Sequence, residues 1–282
     1  MSKTTFLGDF CTMSEYLFKN MDSYDTPENL PVSLAYKLMF CSRWYFYLKN
    51  FGIFIAAGKL GKQGKLDGDA QIAQSSGNVK LIENIGGHLH IRGLNHLRDL
   101  NGEPVVIIGN HMSLLETAMM HALIREHLDF SFVVKESLYD IPIFKYILSS
   151  MNAIAVTRTN PREDLKKVLS EGKKMLSMGR SMIVFPQSTR SATFDPAQFN
   201  SIGIKLAKSA GVRVVPLALK TDMLGIGKLC RDLGPVYPHK DVWFEFGAPL
   251  TIEGNGQQQQ QQVIEFISTC LERWNNQEGS KL

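Results

Sequence analysis

VVIIGNHMSLLE, residues 105–116, is the stretch from which the fold of this chain can be read. The short apolar run Val105–Ile108, closed by Gly109, reads as a buried strand. Helical periodicity takes over at 113–126, so a strand passes through a two- or three-residue turn into a helix. The pattern repeats outward from there. HLHIRGL (88–94), FSFVVK (130–135), AIAVTR (153–158), SMIVFP (181–186), VRVVPLAL (212–219) and VWFEFG (242–247) read as strands. Helices are predicted after Pro142, over 162–178 and over 201–210. Strands alternating with helices predict an α/β domain with a mixed or largely parallel sheet flanked by helices. Pro216, inside one predicted strand, points to a bend or a sheet edge. Gln257 to Gln262 form a low-complexity run, either a loop or the polar first turns of a last helix. The helix after it sets Val263, Phe266, Ile267, Cys270, Leu271 and Trp274 at core-packing spacing.

Upstream the character changes. Lys37, Arg43, Lys49, Lys59, Lys62 and Lys65 fall between Leu30 and Lys65, a stretch with no Asp or Glu and many large apolar side chains. That combination suits contact with an anionic lipid surface. Residues 33–57 read as helical but are interrupted by Arg43, Lys49 and Asn50, which argues against a span of about 20 apolar residues. Lys37, Arg43 and Lys49 point about 120° apart on a helix, so no single polar face exists. A helix lying in or dipping into the membrane interface, its basic stems snorkelling, reconciles these facts; an ordinary core helix is the alternative. The Gly-rich, polar residues 58–77 read as a linker. Residues 1–80 therefore form a helical, membrane-associating segment with its linker, and 81–282 the α/β domain.

Bulk properties narrow the function. With 44% apolar and 21% charged residues, the 282-residue chain has the composition of a globular protein. A net charge of +4 gives no mark of a nucleic-acid partner. Cys11, Cys41, Cys230 and Cys270 are far apart with no CxxC pair, which fits reduced cytosolic thiols rather than a zinc site. The N-terminus lacks a secretory-signal pattern, so the chemistry is expected on the cytoplasmic side.

Chemistry concentrates where predicted strands end, the usual place for sites in α/β folds. His111 and Glu116 lie five residues apart; on one helix they would diverge by about 140°. They can meet only if His111 precedes the helix. Glu116 would then accept from the imidazole and leave its other nitrogen as a general base. Ser113-x-x-Glu116 is equally a capping box, which explains both residues without catalysis. FPQSTRS (185–191) offers hydroxyls, an amide and the Arg190 guanidinium in one turn, suited to a phosphate. Arg158 is a second cation at a strand end.

Four ordered blocks, NHMSLLE (110–116), NAIAVTR (152–158), FPQSTRS (185–191) and VVPLAL (214–219), resemble the glycerolipid acyltransferase superfamily, in particular the bacterial 1-acyl-glycerol-3-phosphate acyltransferases. The similarity spans about residues 85 to 250. It implies that 81–282 is an acyltransferase domain in which His111 is the base and Glu116 its acidic partner. Arg158 and Arg190 are implied as ligands of an acceptor phosphate, with Asn110, Ser113, Gln187, Ser188 and Thr189 completing the substrate-binding set. It further implies an acyl thioester donor (acyl carrier protein or coenzyme A), a lysophospholipid acceptor and no metal or other cofactor. An N-terminal helical element on the cytoplasmic face of the inner membrane is implied as well. Departures are Glu116 for Asp, Asn152 for Gly, Gln187 for Glu and Ser188 for Gly. They leave room for another acceptor, of aminolipid or lipid-A type, or for a catalytically silent lipid-binding protein.

Overall fold

The computed structural model describes residues 16–187 and 189–279. The N-terminal part runs β1 (Tyr24–Asp25), α1 (Leu34–Leu38), α2 (Arg43–Lys62), α3 (Gly68–Asn84), β2 (Leu89–Arg92) and α4 (Leu94–Arg98). The centre continues with β3 (Val106–Gly109), α5 (Leu115–Ile124), β4 (Phe130–Lys135), α6 (Pro142–Ser150), β5 (Ile154–Val156) and α7 (Pro161–Ser177). Last come β6 (Ser181–Val184), α8 (Ile202–Ala210), β7 (Val214–Lys220), β8 (Val242–Phe246) and α9 (Gln257–Gly279).

The strands form one sheet in the order β1-β2-β8-β7-β3-β6-β4-β5. From β7 to β5 every neighbour is parallel, so the carboxyl ends of β3, β4, β5, β6 and β7 share one edge. β8 runs antiparallel to β7 and makes the sheet mixed. Alternation along β3 shows how the sheet divides the interior. Ile107 packs into a layer with Val79 of α3 and Met119 of α5, whereas Val106 and Ile108 meet Ile204 of α8 and Ile267 of α9. A strand covered on both faces is apolar at every position, hence the unbroken run in the sequence. Its register with β6 and β7 (Ile108 opposite Val184 and Pro216) delivers the turns after all three strands to one place.

Pro216 is not at an edge. It sits on β7, between β3 and β8. Its carbonyl accepts from Gly247 N, 2.8 Å, just where pairing with β8 stops. The N–H it lacks would face Gly247 O in that same rung, where the register shifts toward the Val214–Leu250 bridge, so the strand forgoes a single bond at an irregular point.

The linker expected over 58–77 is instead the end of α2, a short turn and half of α3; the boundary at residue 80 falls inside that helix. α3 starts where Asp67 accepts from Ala70 N, 2.9 Å. It looked like a linker because its buried face uses small polar residues. Ser75 donates to Ala118 O at 2.8 Å and accepts from Ala122 N at 2.9 Å, tying α3 to α5. Asn50 of α2 donates to Asn78 of α3, 2.7 Å. The glycines have a similar purpose: a Cβ on Gly61 would stand 2.9 Å from the carbonyl oxygen of Tyr146, so α2 and α6 touch backbone to backbone.

The 33–57 helix is broken at Met39–Ser42, where Phe40 and Cys41 adopt positive φ. α2 buries Tyr45, Phe46 and Tyr47 against the domain and leaves Trp44, Leu48, Phe51 and Ile55 exposed. Apolar side chains on both faces are what erased the single polar face. Among the described residues, no helix is long and apolar enough to cross a membrane.

Candidate active site

β3 ends at Gly109, and the next three residues form the turn that holds His111. Asn110 fixes that turn: its side chain donates to Leu219 O, 2.8 Å, and accepts from Leu219 N, 2.9 Å, continuing the ladder between β3 and β7. Both groups of its amide are thus used by the backbone of β7.

His111 precedes α5, which lets its Nδ1 reach Glu116 Oε2 in a short hydrogen bond. Glu116 is wholly buried, and its other oxygen collects three donors: Met112 N at 3.0 Å, Ser113 N at 2.5 Å and the hydroxyl of Thr221. Capping and orientation therefore do not compete. One carboxylate oxygen holds the turn that leads into α5, and the other holds the imidazole. Since a carboxylate only accepts, the ring proton facing it belongs to Nδ1, which leaves Nε2 as the position for the lone pair of a neutral imidazole. The imidazole also stacks on Phe185, ring centroids 4.7 Å apart and planes 15° from parallel.

Ser113 is buried in this network. Its hydroxyl donates to Thr221, 2.9 Å, and accepts from Leu115 N, 3.1 Å. Gln187 lies under the turn with Oε1 accepting from His111 N at 2.7 Å, while Ser191 N donates to His111 O at 3.0 Å. The amide that replaces the family's carboxylate thus holds the main chain of His111. Thr189 is exposed, and Ser188 lies outside the described residues. Asn152 has φ of 52°, a left-handed conformation natural to glycine and next most accessible to Asn, which accounts for that departure.

Arg190 lines a cleft with Tyr47, Met112, Ser113, Arg231 and Asp232. Arg158, beyond β5, is brought near it: partial burial and the charge of Arg190 both push the Arg158 guanidinium below its usual value, against the opposing pull of Asp164. Asp164 accepts from Thr157 N, 2.9 Å, and Arg158 N, 2.7 Å, which shapes the turn presenting Arg158. Two cations close enough to oppose each other make the local potential positive.

Thr221 and Asp232 were not singled out by sequence. A polar residue just past a buried strand marks Thr221 in the same way as His111 and Gln187. Nothing local marks Asp232. Among the described residues, no group of three His, Cys, Asp or Glu side chains is placed to hold a metal ion.

The family model named Acyltransferase matches residues 88–220. That segment is similar to the acyltransferase family. It contains β2 through β7 and all four sequence blocks, and every residue of the His111 network lies in it except Thr221, which directly follows. Among similar proteins, the chain is 30% identical over 133 residues to the 1-acyl-sn-glycerol-3-phosphate acyltransferase of Pseudomonas aeruginosa, covering 47% of this chain and 49% of that one. A chloroplast 1-acyl-sn-glycerol-3-phosphate acyltransferase of Arabidopsis thaliana is 30% identical over 141 residues, covering 50% of this chain and 37% of that one. The chain thus spans about half or less of the length of these relatives. In fold it is similar to the crystal structure of the 1-acyl-sn-glycerophosphate acyltransferase of Thermotoga maritima, with a TM-score of 0.65 and 17% identity over 85% of this chain and 97% of that one.

Proposed function

We propose that this chain transfers a fatty acyl group from an acyl thioester, of acyl carrier protein or coenzyme A, to the free hydroxyl of a lysophospholipid. The leading acceptor is 1-acyl-glycerol-3-phosphate, giving phosphatidic acid. The observation that carries this reading is the oriented His111–Glu116 pair, next in the chain to Met112 and Ser113, which line a cleft with Arg190. His111 Nε2 takes the proton of the acceptor hydroxyl as its oxygen attacks the thioester carbonyl, and Glu116 stabilises the imidazolium. Collapse of the tetrahedral intermediate breaks the C–S bond, and the imidazolium returns the proton to the thiolate. The substrate hydroxyl takes the place that a protein serine has in a hydrolase triad. Arg190 and Arg158 fix the acceptor by its phosphate, so the hydroxyl arrives already placed.

The exposed stripe Trp44, Leu48, Phe51 and Ile55 follows i, i+4, i+7, i+11 spacing, and Lys49, Lys59, Lys62 and Lys65 are exposed near or beyond it. This supports peripheral attachment to an anionic membrane surface, on the cytoplasmic face of the inner membrane, with Tyr47 of the same helix at the cleft.

The experiment is transfer of a labelled acyl thioester to a panel of lysophospholipids, products read by mass spectrometry, with His111→Ala alongside. Loss of a general base costs about 10²–10⁴-fold. A folded His111→Ala protein at near wild-type rate would remove His111 from the chemistry. A wild type that releases thiol at the same rate without acceptor would indicate a thioesterase.

A further inference from the structure

Arg190 is not waiting with an open guanidinium. Its Nη1 is 2.5 Å from Asp232 Oδ1, and its main-chain oxygen accepts from Arg231 Nη2 at 3.1 Å. Both partners come from the segment between β7 and β8, far from Arg190 in sequence. That segment is a braced hairpin. Leu224 bridges Val236, Tyr237 N donates to Met223 O at 2.8 Å, and Gly225 N donates to Pro235 O at 2.9 Å. The two arms are so close that a Cβ on Gly234 would stand 1.8 Å from Gly225 O. Tyr47 of α2 pins the hairpin through a 3.0 Å bond from its hydroxyl to Gly234 O. Asp232 is therefore delivered to Arg190 by rigid backbone, and it lines the same cleft as Ser113 and Met112.

We propose that Asp232 is a specificity-determining residue that occupies the acceptor-phosphate position on Arg190 and must be displaced by the incoming head group. This rests on the reading of the cleft as the acceptor site. A phosphate gripping Arg190 through both terminal nitrogens needs the Nη1 that Asp232 holds, and one on the Nε–Nη2 edge lies beside the same carboxylate, so in either place the two anions repel. Displacement is feasible because the pair is only partly buried: the side chains are 23% (Arg190) and 49% (Asp232) exposed, so the carboxylate can turn to solvent. Its negative charge stays at the rim. A bare phosphomonoester then meets repulsion, whereas an acceptor with an ammonium beside its phosphate can pair that ammonium with Asp232. The anion that the turn lacks at Gln187 is thus supplied from the hairpin, where it acts on the head group.

The test is Asp232→Asn, assayed in neutral detergent micelles with lysophosphatidate and with an ethanolamine-bearing lysophospholipid. Half-exposed ion pairs are weak, so the KM for lysophosphatidate should fall about two- to fivefold. The KM for the ethanolamine-bearing acceptor should fall less or rise, and the donor KM should not follow either change. Glu103→Gln removes a carboxylate paired with Arg213 on another strand connection and controls for net charge; it should leave both acceptor KM values alone. In an Arg190→Ala background, Asp232→Asn should keep only the smaller part of its effect on lysophosphatidate, that of the rim charge. Calorimetric titration of glycerol 3-phosphate provides a readout independent of turnover, with tighter binding expected in Asp232→Asn. Unchanged or weaker phosphate binding by that variant, or an equal gain in the Arg190→Ala background, would overturn the proposal. A wild-type protein that acylates neither acceptor would sink the acyltransferase reading instead, and the titration would still decide on Asp232.

Discussion

Glu116→Gln isolates what the carboxylate does for His111 from what it does for the helix. Glu116 is fully buried with Oε2 on the imidazole and Oε1 on Met112 N, Ser113 N and Thr221. An amide oxygen in the Oε1 position can still accept from all three donors, so the start of α5 survives. The NH2 then faces His111 Nδ1, where only an acceptor satisfies both groups. The imidazole must give up its Nδ1 proton and carry one on Nε2, which abolishes its lone pair toward the substrate. A wrong tautomer in the analogous Ser-His-Asp arrangement costs about 10⁴ in kcat. Stability should fall by only about 1–2 kcal/mol, the charge-assisted part of the hydrogen bonds. The assay pairs steady-state transfer with thermal melting, and long-range proton–nitrogen spectra of the imidazole report the tautomer directly. A variant that melts near wild type, shows the proton on Nε2 and is slower by three orders of magnitude or more, within reach of that ~10⁴ estimate, fits the reasoning. One that keeps more than about a tenth of the rate, against the 10²–10⁴ that a general base supplies, would refute it and leave Glu116 as a helix cap.

Thr221→Val removes one donor to Glu116 and the acceptor of the Ser113 hydroxyl, so melting should show a loss of about 1–3 kcal/mol, largely recovered by Thr221→Ser. Arg190→Lys should raise the acceptor KM while sparing the donor KM, because a point charge cannot reproduce a forked grip; equal rises in both would take Arg190 out of the acceptor site. Leu48→Ser with Phe51→Ser, both exposed, should reduce vesicle sedimentation without shifting the melting temperature, and Lys59, Lys62 and Lys65 to Gln should weaken it by about 1 kcal/mol per charge, less at high salt. His121 supplies a pH dependence: burial, with a smaller push from Arg125, lowers its pKa from 6.5 to about 3. The folded state then stays neutral where the unfolded chain takes up a proton, so stability is lost as pH falls below 6.5 toward 3, by up to about 1.4 kcal/mol per unit. His121→Leu should flatten that slope in urea titrations, and an unchanged slope would assign the acid sensitivity elsewhere.

Local sequence was enough for the strands of the α/β domain, for its helices other than α4, and for the His111–Glu116 pairing. Each depended on short-range facts: a β-branched run closed by glycine, 3.6-residue spacing, and a histidine one turn ahead of a glutamate. The same local reading failed over 58–77, because glycine, serine and asparagine signal a flexible linker in isolation and close helix packing when another helix is near. It failed at Pro216 because a proline's cost depends on whether its missing N–H has a partner to lose, and the strand order alone decides that. Residues 33–57 resisted a choice between core and interface because α2 is apolar toward both. Thr221 and Asp232 reach the site from chain positions 105 and 42 residues away from Glu116 and Arg190. No periodicity encodes such a meeting. It follows from the parallel register of β3 with β7 and from the hairpin that fills the gap before β8, so only the tertiary structure could place a hydroxyl behind the glutamate and a carboxylate on the arginine.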